Sequence, residues 1–148
     1  MGSAVTRSRL IPQLSVYAAG TIYNLTATAA LIDFGTTDPS LTITGAGSWL
    51  LLGRAFIRLY GAVWAGNESC TLKLRRTNNT AADITSATTT AKLETITDSI
   101  GPLMIPPVVY TTAFTDDVIS LFGSVSTLPI SGTVDVIEAS IMALKLTT

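Results

Sequence analysis

The groups in this 148-residue chain that could carry chemistry are few and scattered. Histidine is absent, which closes off Ser-His-Asp and Cys-His catalysis, imidazole proton shuttling and every metal site built on imidazole nitrogen. The single Cys70 can make neither an intrachain disulfide nor a thiolate cluster. Asp116 and Asp117 are adjacent, but neighbours on a strand point to opposite faces, so a glycosidase-like pair is excluded and a turn position fits them better. With Asp38, Asp83 or Asp135 they leave room for an oxygen-ligand calcium site between loops, although no EF-hand spacing is present. Gly45-Ala46-Gly47 starts like a dinucleotide fingerprint but lacks the third glycine and a following helix, so it reads as a turn. The expectation is a protein that is not an enzyme, with no catalytic residue, no metal and no cofactor. A Ser or Cys nucleophile without a histidine partner is the least favoured alternative.

Composition narrows the partners. Apolar residues make up 47% of the chain and charged residues 13%, about half the usual charged share. Such a chain folds rather than staying disordered. Nine Lys and Arg against ten Asp and Glu give a net charge of -1, which supplies no basic field for nucleic acid. The most apolar stretch, residues 48–65, carries Arg54 and Arg58 in its middle and is too interrupted for a membrane span. No nucleic acid and no membrane are expected. The first twenty residues lack a continuous apolar run, so no signal peptide is read there. The loose myristoylation pattern at Gly2 and the sequons at Asn24, Asn67 and Asn78 carry little weight in so Ser- and Thr-rich a sequence.

The elements that position these residues are strands. Twenty-four threonines, with many Val and Ile, suit a pleated surface and disfavour helix. Residues 49–60 alternate most clearly. Trp49, Leu51, Gly53, Ala55, Ile57 and Leu59 form a wholly apolar set; Leu50, Leu52, Arg54, Phe56, Arg58 and Tyr60 form a second that is also mostly apolar. Further strands are expected at 21–26, 31–34, 41–44, 70–76 and 118–125, with 84–97 as one strand or two. Pro106-Pro107 places 104–111 partly in a loop or on an edge. The last strand, 134–146, is again two-sided: Ile141 and Ala143 point one way, Met142, Leu144 and Leu146 the other. In a two-sheet sandwich one apolar face meets the partner sheet, and a second must meet something else. A symmetric copy of the chain is the simplest candidate. Around ten strands are counted in residues 21–148, behind an extended N-terminal arm, residues 1–20, that either stays disordered or orders on a partner.

Several short motifs, in order, resemble C1q-like and tumour-necrosis-factor-like domains. Gly47-Ser48-Trp49-Leu50-Leu51 is similar to the Gly-x-Tyr-x-Phe lead-in to a central strand. Leu72 to Asn79 resembles the strand ending in an Asn-Gly turn, with Asn79 in place of the glycine. Asp117-Val118-Ile119-Ser120-Leu121 resembles the Gly-Asp-x-Val strand, with Asp116 replacing the glycine. Ser140 to Leu146 resembles the closing Ser-Phe-x-Gly-x-x-Leu strand, with Ile141 and Ala143 in place of Phe and Gly. These departures leave no detailed binding site to carry over.

The resemblance implies an all-β fold, a ten-stranded jelly-roll β-sandwich forming a homotrimer, with the central and last strands at the threefold axis. The expected trimer interface is Leu50, Leu52, Arg54, Phe56, Arg58, Tyr60, Met142, Leu144 and Leu146. Three copies of each arginine near one axis would repel, so a neighbour's Glu138 or Asp33 is expected to compensate them; otherwise both snorkel to solvent. Without a collagen stalk, signal peptide or membrane anchor, the chain looks like a virion component of a tailed bacteriophage. The favoured role is a capsid decoration (cement) protein that bridges capsomers and binds the major capsid protein through Arg7, Arg9, Leu10, Ile11 and Leu14. The alternative is a receptor- or glycan-binding fibre head, with loops around Trp64, Asn67 and Asn78.

Overall fold

A computed structural model describes residues 13–63, 66, 68–93 and 100–146. These residues form nine strands: β1 (Gln13–Asn24), β2 (Ala30–Leu31), β3 (Ser40–Thr42), β4 (Gly47–Val63), β5 (Ser69–Arg76), β6 (Ala82–Lys92), β7 (Ile100–Thr112), β8 (Val118–Val125) and β9 (Ser131–Lys145). None of the described residues is helical, as β-branched richness leads one to expect. The strands build two antiparallel sheets. One has the order β1-β9-β4-β7; the other has β2-β8-β5-β6, with β3 also pairing β8. First strand beside last, and central strands joined to neighbours distant in sequence, make this a jelly-roll sandwich.

The core lies between the sheets and is filled by alternate residues. Trp49, Leu51, Ala55, Ile57 and Leu59 of β4 are buried, with Leu72 and Leu74 of β5, Ile119, Leu121 and Val125 of β8, and Ile141 and Ala143 of β9. The first of the two alternating sets in residues 49–60 is therefore the inner one. Trp49 satisfies its indole N–H by donating to the Gly45 carbonyl at 2.9 Å, which fixes the turn before β4. A Cβ on Gly53 would sit 3.1 Å from Leu74 and 3.2 Å from Ile105, so the sheets approach closely there. Gly132 has a φ of 75°, and a Cβ would fall 2.3 Å from the Gly61 backbone. Only glycine fits that turn into β9.

Two expectations about elements change. Residues 13–20, assigned to the arm, belong to β1, whose Gln13 to Ala19 pair with Leu144 to Glu138 of β9. Leu14 and Val16 pack against the core, so an edge strand rather than a free arm satisfies their apolar side chains. The strand expected at 31–34 is largely replaced: β2 covers Ala30–Leu31, and Ile32, whose N–H donates to the Leu121 carbonyl at 3.1 Å, and Phe34 are buried in the segment that follows it. Of the two placements expected for Pro106 and Pro107, the edge is the one found: they sit within β7, an edge strand, at a register shift between Leu51 and Gly53, where their missing N–H groups leave no ladder bond unmade. The described part of 84–97 is a single strand, β6.

Candidate functional site

The inner face of β4 is sealed, so the features left to act lie on the outer face of the β1-β9-β4-β7 sheet. Cross-strand register lays its side chains in rows. Gln13, Leu144, Leu50 and Val109 form one row; Ser15, Met142 and Leu52 the next; Tyr17, Ser140, Arg54 and Met104 a third; and Ala19, Glu138, Phe56 and Pro102 a fourth. Leu50, Leu52, Phe56 and Leu144 are half-buried by their neighbours. Tyr17 and Met104 stand 58% exposed, Tyr60 60% and Met142 40%, a large apolar area to leave in water. Leu52, Gly53, Arg54, Met104, Ser140 and Met142 border an open hollow of ≈ 270 Å³ near the middle of the face. Of the nine residues expected at an interface, eight lie on this one face. Leu146 follows β9 and is half-buried, its N–H donating to the Ser48 carbonyl at 2.8 Å.

For Arg58 the arrangement differs from the expectation. It finds its counter-charge in its own chain: Nε and a terminal nitrogen donate to Asp135 Oδ2 at 3.1 and 2.6 Å. Asp135 is buried, and its Oδ1 has no partner among the described residues. The Arg58 guanidinium also lies 5.0 Å from the Tyr60 ring centroid, a favourable cation-π distance. The register Arg58↔Asp135 makes this pair, and a separation of 77 residues hid it from sequence reading. Arg54 differs. Its Nε donates to Ser140 Oγ at 3.2 Å and the group stacks 5.6 Å from the Phe56 ring. No described carboxylate lies within ion-pair distance of it. Glu138 instead accepts from the Tyr17 hydroxyl at 2.7 Å, a hydrogen bond that raises the Tyr17 pKa and keeps the phenol protonated. Asp33 lies elsewhere, its Oδ1 accepting from the Gly35 N–H at 2.6 Å.

A second polar cluster closes one end of the sandwich, and sequence reading missed it. Asp117 is fully buried and accepts from Tyr110 OH at 2.6 Å, Asn79 Nδ2 at 3.0 Å and, very closely, the Thr112 hydroxyl. Arg76 stands 3.9 Å away. Burial by itself would raise the Asp117 pKa, but these donors and the nearby guanidinium outweigh it and hold the carboxyl below its ordinary value. Asn78 ties the same end down, accepting from the Val118 N–H at 2.7 Å and donating to the Asp116 carbonyl at 2.7 Å. Every partner here holds strand ends together, so the arrangement is structural. The local signal was Asp117 just before β8; its donors come from the β5–β6 turn and β7 and its counter-charge from β5, which only the topology brings together.

Among the described residues, the remaining candidates do not come together as a reacting centre. Cys70 is buried, and burial pushes its thiol pKa up to about 12, leaving no thiolate nucleophile. Asp83 is held by Lys73 at 2.8 Å, and among the described residues no three acidic or cysteine groups come together as metal ligands. Asn78 is committed to its turn. Trp64, Asn67, Arg7, Arg9, Leu10 and Ile11 lie outside the described residues.

No family model matches the sequence, and no curated protein does. Solved structures share the fold. The chain superposes on the Eiger TNF of S. frugiperda with a TM-score of 0.58 at 9% identity, covering 94% of both chains. It matches a chain of the T13 IBDV viral particle with a TM-score of 0.58 at 9% identity, over 98% of this chain and 36% of that one. It also matches dimeric latent PorU from Porphyromonas gingivalis, with a TM-score of 0.57 at 10% identity, over 97% of this chain and 14% of that one. At these identities the likeness is one of fold: a jelly-roll sandwich like those of TNF-family and viral capsid structures.

Proposed function

We propose that this chain is a non-enzymatic structural protein that assembles as a homotrimer through the outer face of the β1-β9-β4-β7 sheet. The observation that carries the reading is the doubled apolarity of β4 and β9. Their inner residues fill the sandwich, while Leu50, Leu52, Phe56, Met142 and Leu144 build a second, outward apolar surface continuous with Met104 and Val109. A solvated sheet face alternates toward polar residues; this one has the character of an obligate interface, a class that commonly buries about 2,000 to 5,000 Å². Packing this face around a threefold axis removes it from water.

The assembled trimer serves as a decoration or cement protein on the shell of a tailed bacteriophage, bridging neighbouring capsomers. Likeness in fold to a viral particle protein and a TNF supports a structural role by analogy. Contact with the major capsid protein is assigned to the residues before β1, including Arg7, Arg9, Leu10 and Ile11. Leu14 leaves that set because it packs on the core. The test uses the full chain. Its solution mass is expected at three times 15.5 kDa, and the trimer is expected to bind undecorated shells, with Arg7→Glu/Arg9→Glu trimers binding them poorly. A monomer at high concentration overturns the trimer, and a trimer that ignores shells overturns the cement role.

A further inference from the structure

Resting on the trimer reading, we propose that Arg54 of each copy pairs with Glu138 of the next, closing a ring of three identical ion pairs that sets the register of the assembly. Among the described residues, four charged side chains stand on the outer face. Arg58 and Asp135 neutralise each other within the chain at 2.6 Å. Arg54 and Glu138 are left, one of each sign. They are close in the ladder, since Arg54 faces Ser140 and Phe56 faces Glu138, yet they do not meet. Glu138 turns toward β1 and accepts from Tyr17 at 2.7 Å, while Arg54 is held by Ser140 at 3.2 Å and leans on Phe56.

Each group is therefore fixed at one atom and open at the others. Among the described residues, Ser140 holds only Nε of Arg54 and leaves both terminal nitrogens without a hydrogen-bond partner, and Tyr17 occupies Oε2 of Glu138 and leaves Oε1 without one. The surrounding face is apolar, with the Leu52, Met104 and Met142 hollow directly beside Arg54. In water both charges are tolerable. Dried against a neighbour, a lone guanidinium and a lone carboxylate would each carry a heavy desolvation cost. A rotated copy that sets its Glu138 on Arg54 cancels both at once, through the charge-assisted N–H···O geometry that arginine and carboxylate favour. In a cyclic assembly the contact runs head to tail, so every copy gives one charge and receives one, and none is left over. The apolar face supplies the drive to associate; this pair selects which rotation is accepted.

Charge exchange in the full-length protein tests the pairing. Arg54→Glu and Glu138→Arg are each expected to raise the trimer's dissociation concentration by about a hundredfold or more, and the double exchange to return it to within about tenfold of wild type. A neutral series gives a second readout: Arg54→Gln and Glu138→Gln each weaken assembly by stranding the other charge, whereas the double neutral variant assembles as well as wild type. Circular dichroism confirms that each variant is folded. Single variants that assemble like wild type, or a folded double exchange no better than the singles, overturn the pairing while the trimer stands. A wild-type chain that is monomeric throughout overturns the trimer reading itself.

Discussion

Replacing Asp117 with asparagine removes a charge on which one end of the sandwich converges. The carboxylate is fully buried and accepts from Tyr110, Thr112 and Asn79, with Arg76 beyond. Asparagine keeps the volume but turns one acceptor into a donor, which then faces the Tyr110 and Thr112 hydroxyls. Hydrogen bonds to a charged group contribute roughly 1.5 to 3 kcal/mol, and an unsatisfied buried group costs about 1 to 3 kcal/mol. A loss of about 3 kcal/mol is expected, or roughly 6 to 12 °C in melting temperature for a domain of this size. The sign with pH follows from the lowered folded-state pKa. The contribution is complete above the unfolded carboxyl value near pH ~4 and is lost as pH falls through the folded value. Thermal melts followed by circular dichroism at fixed protein concentration should show wild type well above Asp117→Asn at pH 7, the gap closing as the solution is acidified below about pH 4. A variant as stable as wild type at neutral pH, or a gap that persists unchanged into strong acid, refutes the reasoning.

Other consequences are as direct. Gly132→Ala sets a Cβ 2.3 Å from the Gly61 backbone at a φ of 75° and is expected to cost about 3 kcal/mol or more, read by chemical denaturation. Cys70, its pKa pushed up to about 12 by burial, should resist alkylation in the folded protein and react promptly once denatured; Cys70→Ser buries an unpartnered hydroxyl and should lose about 1 to 3 kcal/mol. Phe56→Glu alters only the outer face, so it should leave the strand signature intact, cost a single copy about 1 kcal/mol, and yield a monomer by light scattering.

Much of the fold was legible because period-two alternation is a local signal. The inner and outer sets of β4 fall as the spacing from Trp49 to Tyr60 predicts, the strand expected at 118–125 is β8, and β9 shows the same two-sidedness as β4. β1 was hidden although Leu14, Val16 and Ala18 alternate with Ser15 and Tyr17, because Pro12 and Gly20 frame the run as irregular. Gly20 in fact marks close packing: a Cβ there would approach the Phe34 carbonyl to 2.9 Å. The electrostatic arrangement was not legible. Arg58 with Asp135, Tyr17 with Glu138, and Asp117 with Asn79 are paired by strand register or by the closing of the sandwich end, and neither is a property of any short stretch of sequence.

The two methionines on the outer face test the central claim most directly. Met104 and Met142 are 58% and 40% exposed in a single copy, and thioether oxidation follows access to solvent. Mild peroxide treatment, quantified by mass spectrometry across a dilution series alongside the solution mass, should find both side chains protected while the trimer persists and oxidised as it dissociates. Fast oxidation of both at every concentration, accompanied by a monomer's mass, would contradict the account.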